Sequence, residues 1–222
     1  MLQGALVLAS RGLKIFPLKP RDKRPATTNG LKAATGDPVQ IERWWRDMPE
    51  ANIGVATGAP SGVFVLDVDD GGEPELKKLE AQYGDLPSTV ESITGSGGRH
   101  LFFRMPPDRD LRNSASKIAA SCDIRANGGY VVVPPSVHPT GRRYVWSVDS
   151  AGEFAAAPAW LLDRIAAPAH GKNGVALPPQ AWADLIKDGV SEGARNDTVA
   201  RLAGHLLRHR VDPMVVLEIC SL

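Results

Sequence analysis

The sequence predicts an α+β protein, and three observations carry that prediction. Helical periodicity is confined to a few short segments. Strand-like pieces at 89–94, 99–105, 121–125, 129–133 and 143–148 follow one another without a helical pattern between them. Asn127-Gly128-Gly129 separates two of those pieces and is a hairpin signal.

Each element has a local reason. Leu2, Leu6 and Ala9 fall at helical spacing, and Gly12 follows as a stop. "LKIFPLKP" reads as a strand running into a basic, proline-containing loop that reaches Gly30. Asp37 followed by Pro38 is an N-cap with proline in the first turn, and Ile41, Trp44 and Trp45 give that helix an apolar face. Either tryptophan suits base stacking or the core, and the helical spacing favours core for one of them. "NIGVATG" and "SGVFVLDVDD" are strands joined by a turn at Pro60–Gly62. "EPELKKLEAQYG" is a helix closed by Gly84, and "PAWLLDRIAA" a short helix opened by Pro158. Residues 166–179 are rich in Ala, Pro and Gly and read as a linker. Beyond them Val199, Leu202, Ala203, Leu206 and Leu207 form one apolar helical stripe within a small module at 180–222. The chain ends in mid-pattern at "LEICSL", which suggests a piece of a longer protein.

The bulk numbers narrow the class. A chain of 222 residues, 43% hydrophobic, suits one full domain with a small second one. No apolar run reaches the roughly eighteen residues of a membrane span, and the N-terminus lacks the marks of a signal peptide. Cys122 and Cys220 make neither a disulfide framework nor a cysteine-rich zinc site, so a reducing, cytoplasmic setting is expected. Charge is blocked along the chain. Residues 1–60 carry nine basic against five acidic residues, 61–95 two against eight, and 96–148 eight against three. An acidic block between basic flanks suits a metal-centred phosphate site, and it also suits a solvated surface.

The acidic block begins at the end of an apolar strand. Asp67 and Asp69 stand at i and i+2, so on a strand they share a face with Cα atoms about 6.5–7 Å apart. Like charges that close need a counter-charge, which a divalent ion supplies. An acidic turn after a strand is the plainer reading. No phosphate-binding G-x-x-x-x-G-K-[ST] loop accompanies them.

Two further segments add to this. In "TGSGGRHLFFR", Gly95, Ser96, Gly97 and Gly98 precede Arg99, His100 and an apolar strand. Such glycines allow backbone N–H groups close to phosphates, and they equally suit a hairpin. Arg99 and His100 are both donors, but neighbours on a strand face opposite ways, which favours His100 for a common cleft. In "SCDIRANGGYVVVPPS", Asp123 is a charge within a strand that needs either a metal or Arg125, which shares its face.

Taken together, Asp-hydrophobic-Asp after an apolar strand, small-x-His opening another and hydrophobic-Asp in a third resemble the three motifs of the archaeo-eukaryotic primase superfamily. "DIRANGGYVVVPPS" and the early "FPLKPRDKRP" are similar to its bifunctional DNA primase/polymerase branch, found in plasmid, phage and prophage replication proteins. The resemblance implies a catalytic domain over 1–165 with an RRM-like antiparallel sheet and an N-terminal αβ unit, followed by a C-terminal helical module. It implies that Asp67, Asp69 and Asp123 hold two divalent cations, Mg²⁺ or Mn²⁺, with no structural zinc. His100, Arg99, Gly98, Ser96 and Arg125 then become the nucleotide-binding set. Lys19, Lys23 and Arg24 in the basic loop, and Arg201 and Arg208 in the module, become nucleic-acid contacts.

The function implied is primer synthesis on single-stranded DNA with dNTP or NTP substrates, in partnership with a helicase domain or subunit. Two other readings use the same residues: a non-catalytic nucleic-acid-binding module, and a metal-dependent nuclease or sugar-nucleotide transferase.

Overall fold

The computed structural model describes residues 1–166. The expected linker past Ala166 and the helical module with Arg201 and Arg208 lie outside the described residues.

The fold begins with α1 (Leu2–Ser10), which buries Ala5 and Leu8 and ends before Gly12 at φ +89°. β1 (Lys14–Leu18) leads through the basic loop to α2 (Pro38–Asp47) and β2 (Asn52–Ala56). α2 starts as its sequence dictates, with the Asp37 carboxylate accepting from the Val39 N–H at 3.1 Å and Pro38 in the first turn. Ile41 and Trp45 turn inward. Trp45 also donates its indole N–H to the Ala51 carbonyl at 2.9 Å, while Trp44 is half-buried against the same core. Both tryptophans are therefore structural.

The chain continues through β3 (Val63–Val68), α3 (Glu73–Tyr83), β4 (Val90–Ile93), β5 (Arg99–Arg104), β6 (Ser114–Ala119), β7 (Cys122–Arg125) and β8 (Tyr130–Val133). β9 (Val145–Trp146), β10 (Ala155–Ala156) and α4 (Ala159–Ala166) complete it. Two sheets result. One is antiparallel with order β1-β2-β8, and the other has order β6-β7-β3-β5-β4-β9, with β10 alongside β5. All pairings are antiparallel except β10 with β5. The α+β class holds.

The hairpin expected at Asn127-Gly128-Gly129 does not form. β7 joins β3, whereas β8 joins β2 in the other sheet. The turn is instead tied to the end of β2. The Thr57 hydroxyl donates to the Ala126 carbonyl, the Thr57 N–H to the Gly129 carbonyl, and the Ala59 N–H to the Asn127 side chain. Gly129 has no room for a side chain, since a Cβ there would lie 2.3 Å from the Asn113 amide oxygen. Two strand-to-strand connections, β2 to β3 and β7 to β8, thus cross between the sheets side by side.

Strand alternation gives the larger sheet two apolar faces. Val63 and Val65 enter a core with Val90, Phe102 and the N-terminal helices and strands. Phe64, Leu66 and Val68 enter a second core with Leu101, Phe103 and Ile124, covered by Leu76 of α3 and Leu161 and Ile165 of α4. Each fully buried side chain of this size contributes about 1.5–3 kcal/mol. On the first face the N-terminal unit covers only part of the sheet. Beyond Val65 and Phe102 a cleft of about 300 Å³ opens between the sheets.

Candidate active site

The cleft is organised by strand register. Asp67 on β3 is paired with His100 on β5 and with Asp123 on β7. His100 is paired with Ser92 on β4, and Ser92 with Trp146 on β9. Directly opposed residues of antiparallel strands point to the same face. Asp123, Asp67, His100, Ser92 and Trp146 therefore form one transverse row across five strands, each strand roughly 4.7–4.9 Å from the next. Arg125 lies on this face too, two residues from Asp123.

The charges in the row contact one another. His100 Nε2 lies 3.3 Å from Asp67 Oδ1. Arg125 places Nη2 2.8 Å from Asp123 Oδ2 and 3.5 Å from Asp67 Oδ2. The Ser116 N–H donates to Asp123 Oδ1 at 2.8 Å, from a backbone held at φ +48°. Burial disfavours the charged form of Asp67, but His100 and Arg125 outweigh it and hold its carboxyl below the usual range. Asp69 follows the end of β3, its N–H donating to the Ser121 carbonyl at 2.9 Å. Burial, Asp67 and Asp123 push its carboxyl up, against the pull of Lys23 and Arg125.

Asp67, Asp69, Asp123, His100 and Arg125 are thus brought together. Lys23 also reaches the cleft, at its lining. Arg99 is not brought there. It points to the opposite face of β5, where its guanidinium makes a two-point pair with Glu73 at 3.0 Å and reaches Glu91 at 3.4 Å. Gly98 and Ser96 belong to the tight turn between β4 and β5. A Cβ on Gly98 would lie 2.3 Å from the Val68 carbonyl, and the Ser96 hydroxyl meets that of Thr94 at 3.0 Å. The packing of the chain on itself accounts for both. In the basic loop Arg24 pairs with Asp22 at 2.6 Å, and Lys19 is exposed.

Tyr144, Tyr130, Asn113 and Ser92 are additions that sequence reasoning missed. Tyr144 and Tyr130 line the cleft with Asn113 and the Gly128–Gly129 turn. Burial, then Asp67 and Asp69, push the Tyr144 hydroxyl up to about 12, so it stays protonated. Ser92 Oγ and His100 Nδ1 are both buried without a protein hydrogen-bond partner, although their residues are in register. Ser92 did leave a signal: in "TVESIT" it is a polar residue on the face that Val90 makes apolar.

The donors fit a hard divalent cation in kind, since carboxylate oxygens suit Mg²⁺ and Mn²⁺. The electrostatics agree, because burial and the two neighbouring carboxylates push the Asp69 carboxyl up more than Lys23 and Arg125 pull it down. As they stand, however, no three acidic, histidine or cysteine groups among the described residues converge as a ready ion site. Arg125 occupies the position between Asp67 and Asp123.

Comparison with known proteins adds one match. The family model described as bifunctional DNA primase/polymerase, N-terminal, covers residues 5–160, from α1 through the row to the start of α4. No curated protein matches the chain. Among the described residues no helix is long and apolar enough to cross a membrane.

Proposed function

The chain belongs to the bifunctional DNA primase/polymerase family, and we propose that it makes primers de novo on single-stranded DNA and extends them by two-metal nucleotidyl transfer. The observation supporting this reading is the register that sets Asp123, Asp67 and His100 side by side on three strands.

Asp67, Asp69 and Asp123 would hold two ions, Mg²⁺ or Mn²⁺, which when bound acidify the attacking 3′-hydroxyl and neutralise the pyrophosphate leaving group. His100, buried beside Asp67, is positioned as a donor to a phosphate oxygen. Arg125 offers a planar fork of N–H donors once a phosphate replaces its carboxylate partners. Lys23 at the cleft lining adds positive charge for the triphosphate. Tyr144 contributes a neutral hydroxyl and no charge.

A non-catalytic nucleic-acid-binding module is the competing reading. It draws on Arg125, which already neutralises Asp67 and Asp123 without any metal. An assay with labelled bare template, labelled primed template, dNTPs and Mn²⁺ separates the readings. A polymerase lengthens the primer, and a priming enzyme also yields new short strands on the bare template. A nuclease shortens the label, and a binding module leaves both unchanged.

A further inference from the structure

Two loops more than a hundred residues apart meet beside the cleft. Asn52, which is 1% exposed, rivets them. Its Nδ2 donates to the Asp22 carbonyl at 3.1 Å and to the Val137 carbonyl at 2.8 Å, while its Oδ1 accepts from the Val137 N–H at 2.9 Å. A Cβ on Gly141 would lie 3.2 Å from Arg21 Nη2, and the Tyr130 hydroxyl donates to the Lys23 carbonyl at 3.0 Å. The first loop exposes Lys19, Arg21 and Lys23, and the second exposes Arg142 and Arg143. Among the described residues none of these five makes an ion pair, and Arg143 reaches the Pro135 carbonyl at 3.4 Å. The second loop then runs through Tyr144, inside the cleft, to Trp146, which closes the transverse row. Trp146 is 38% exposed, packed on Phe102 at 6.0 Å between ring centroids.

We propose that Lys19, Arg21, Arg142, Arg143 and Trp146 form one platform that carries a single strand of nucleic acid along the cleft. The cations would track the phosphates, and the Trp146 ring would stack on a base. Clustered cations alone would suit any polyanion. An exposed aromatic in line with the catalytic row selects a strand whose bases are unpaired. This rests on the polymerase reading and adds the template's path, including Arg142, Arg143 and Trp146.

The test is fluorescence anisotropy of the full chain with a labelled oligo-dT strand over a range of salt, needing neither metal nor nucleotide. Arg142→Ala with Arg143→Ala should weaken binding about tenfold and flatten the log–log salt slope by about 1.4, the share of two lost phosphate contacts on a single strand. Trp146→Leu, which keeps an apolar cover on Phe102, should weaken binding about tenfold at unchanged slope, and Trp146→Phe should recover most of it. Lys77→Ala with Lys78→Ala, on the exposed side of α3, is the control and should change neither quantity. Unchanged affinity and slope in the Arg142/Arg143 variant would overturn the platform. So would an equal loss in the control, or a Trp146→Leu variant that binds normally. If such a variant still extends a primed template, the platform alone falls. If the wild-type chain binds no strand at all, the polymerase reading falls with it.

Discussion

Val65 and Asp67 lie two residues apart on the same face of β3 and inhabit different media. Val65 is wholly buried, in one core with Phe102, Val90 and the N-terminal unit. Asp67, in line with His100 and Ser92, is 9% exposed at the floor of a charged cleft. The backbone is the same strand with the same partners in the same register. What differs is the cover: β1, β2, β8 and the first two helices close over one end of the face and stop short of the other. A side chain at the closed end needs only to fill space. At the open end a charge survives burial only because His100 and Arg125 stand against it. The cleft end also holds unmet demand, in Ser92 Oγ, His100 Nδ1 and the mutual repulsion of Asp69 with its neighbours.

Substitutions at the two ends should therefore fail in different ways. At the closed end Phe102→Ala should cost about 3–5 kcal/mol in a urea melt, because it leaves a cavity in a dry core. A loss as small as that of a surface site would mean that end is not dry. At the open end Asp67→Ala with Asp69→Ala should lower primer synthesis by at least about 10²–10³-fold. Its melting temperature should fall less than that of Phe102→Ala, because losing Asp67 takes the carboxylate partner from His100 and Arg125 while losing Asp69 relieves repulsion. Equal product from both proteins would remove the distinction between the ends.

How far this contrast was legible in the sequence depends on the kind of signal. Helix boundaries were, because Asp37, Pro38, Gly12 and Gly84 act on their own neighbours. The identities of Asp67, Asp123 and His100 were, because a charge ending an apolar strand stands out locally. Their alignment was not. Alternation fixes which face a residue takes, but register depends on partners far along the chain. For the same reason Asn127-Gly128-Gly129 looked like a hairpin, when ties to Thr57 and Ala59 send its strands to different sheets. β6, a polar edge strand with the sequence Ser114–Ala119, carried no apolar alternation to read. Arg99 shows alternation at work, since one step from His100 it faces away from the cleft.

Smaller effects sharpen the boundary. Asn52→Ala strips the Val137 N–H of its acceptor and two carbonyls of their donor, and should cost about 1–3 kcal/mol by thermal or urea unfolding. A neutral result would mean that the rivet between the loops carries no strain-bearing contact. Arg99→Met should be the mildest. Its pair with Glu73 is partly exposed, so stability should drop by about 1 kcal/mol or less, and nucleotide affinity should not change. A lost nucleotide affinity would place Arg99 back among the substrate contacts.

The central claim is that carboxylates from separate strands share one cation-binding cleft. Titration of Mn²⁺ into the protein, with free ion counted by electron paramagnetic resonance, tests it without any substrate. Wild type should take up the ion, and Asp67→Asn and Asp123→Asn should each weaken uptake by about tenfold or more. Uptake that is the same in all three proteins, or absent from the wild type at millimolar ion, would contradict it.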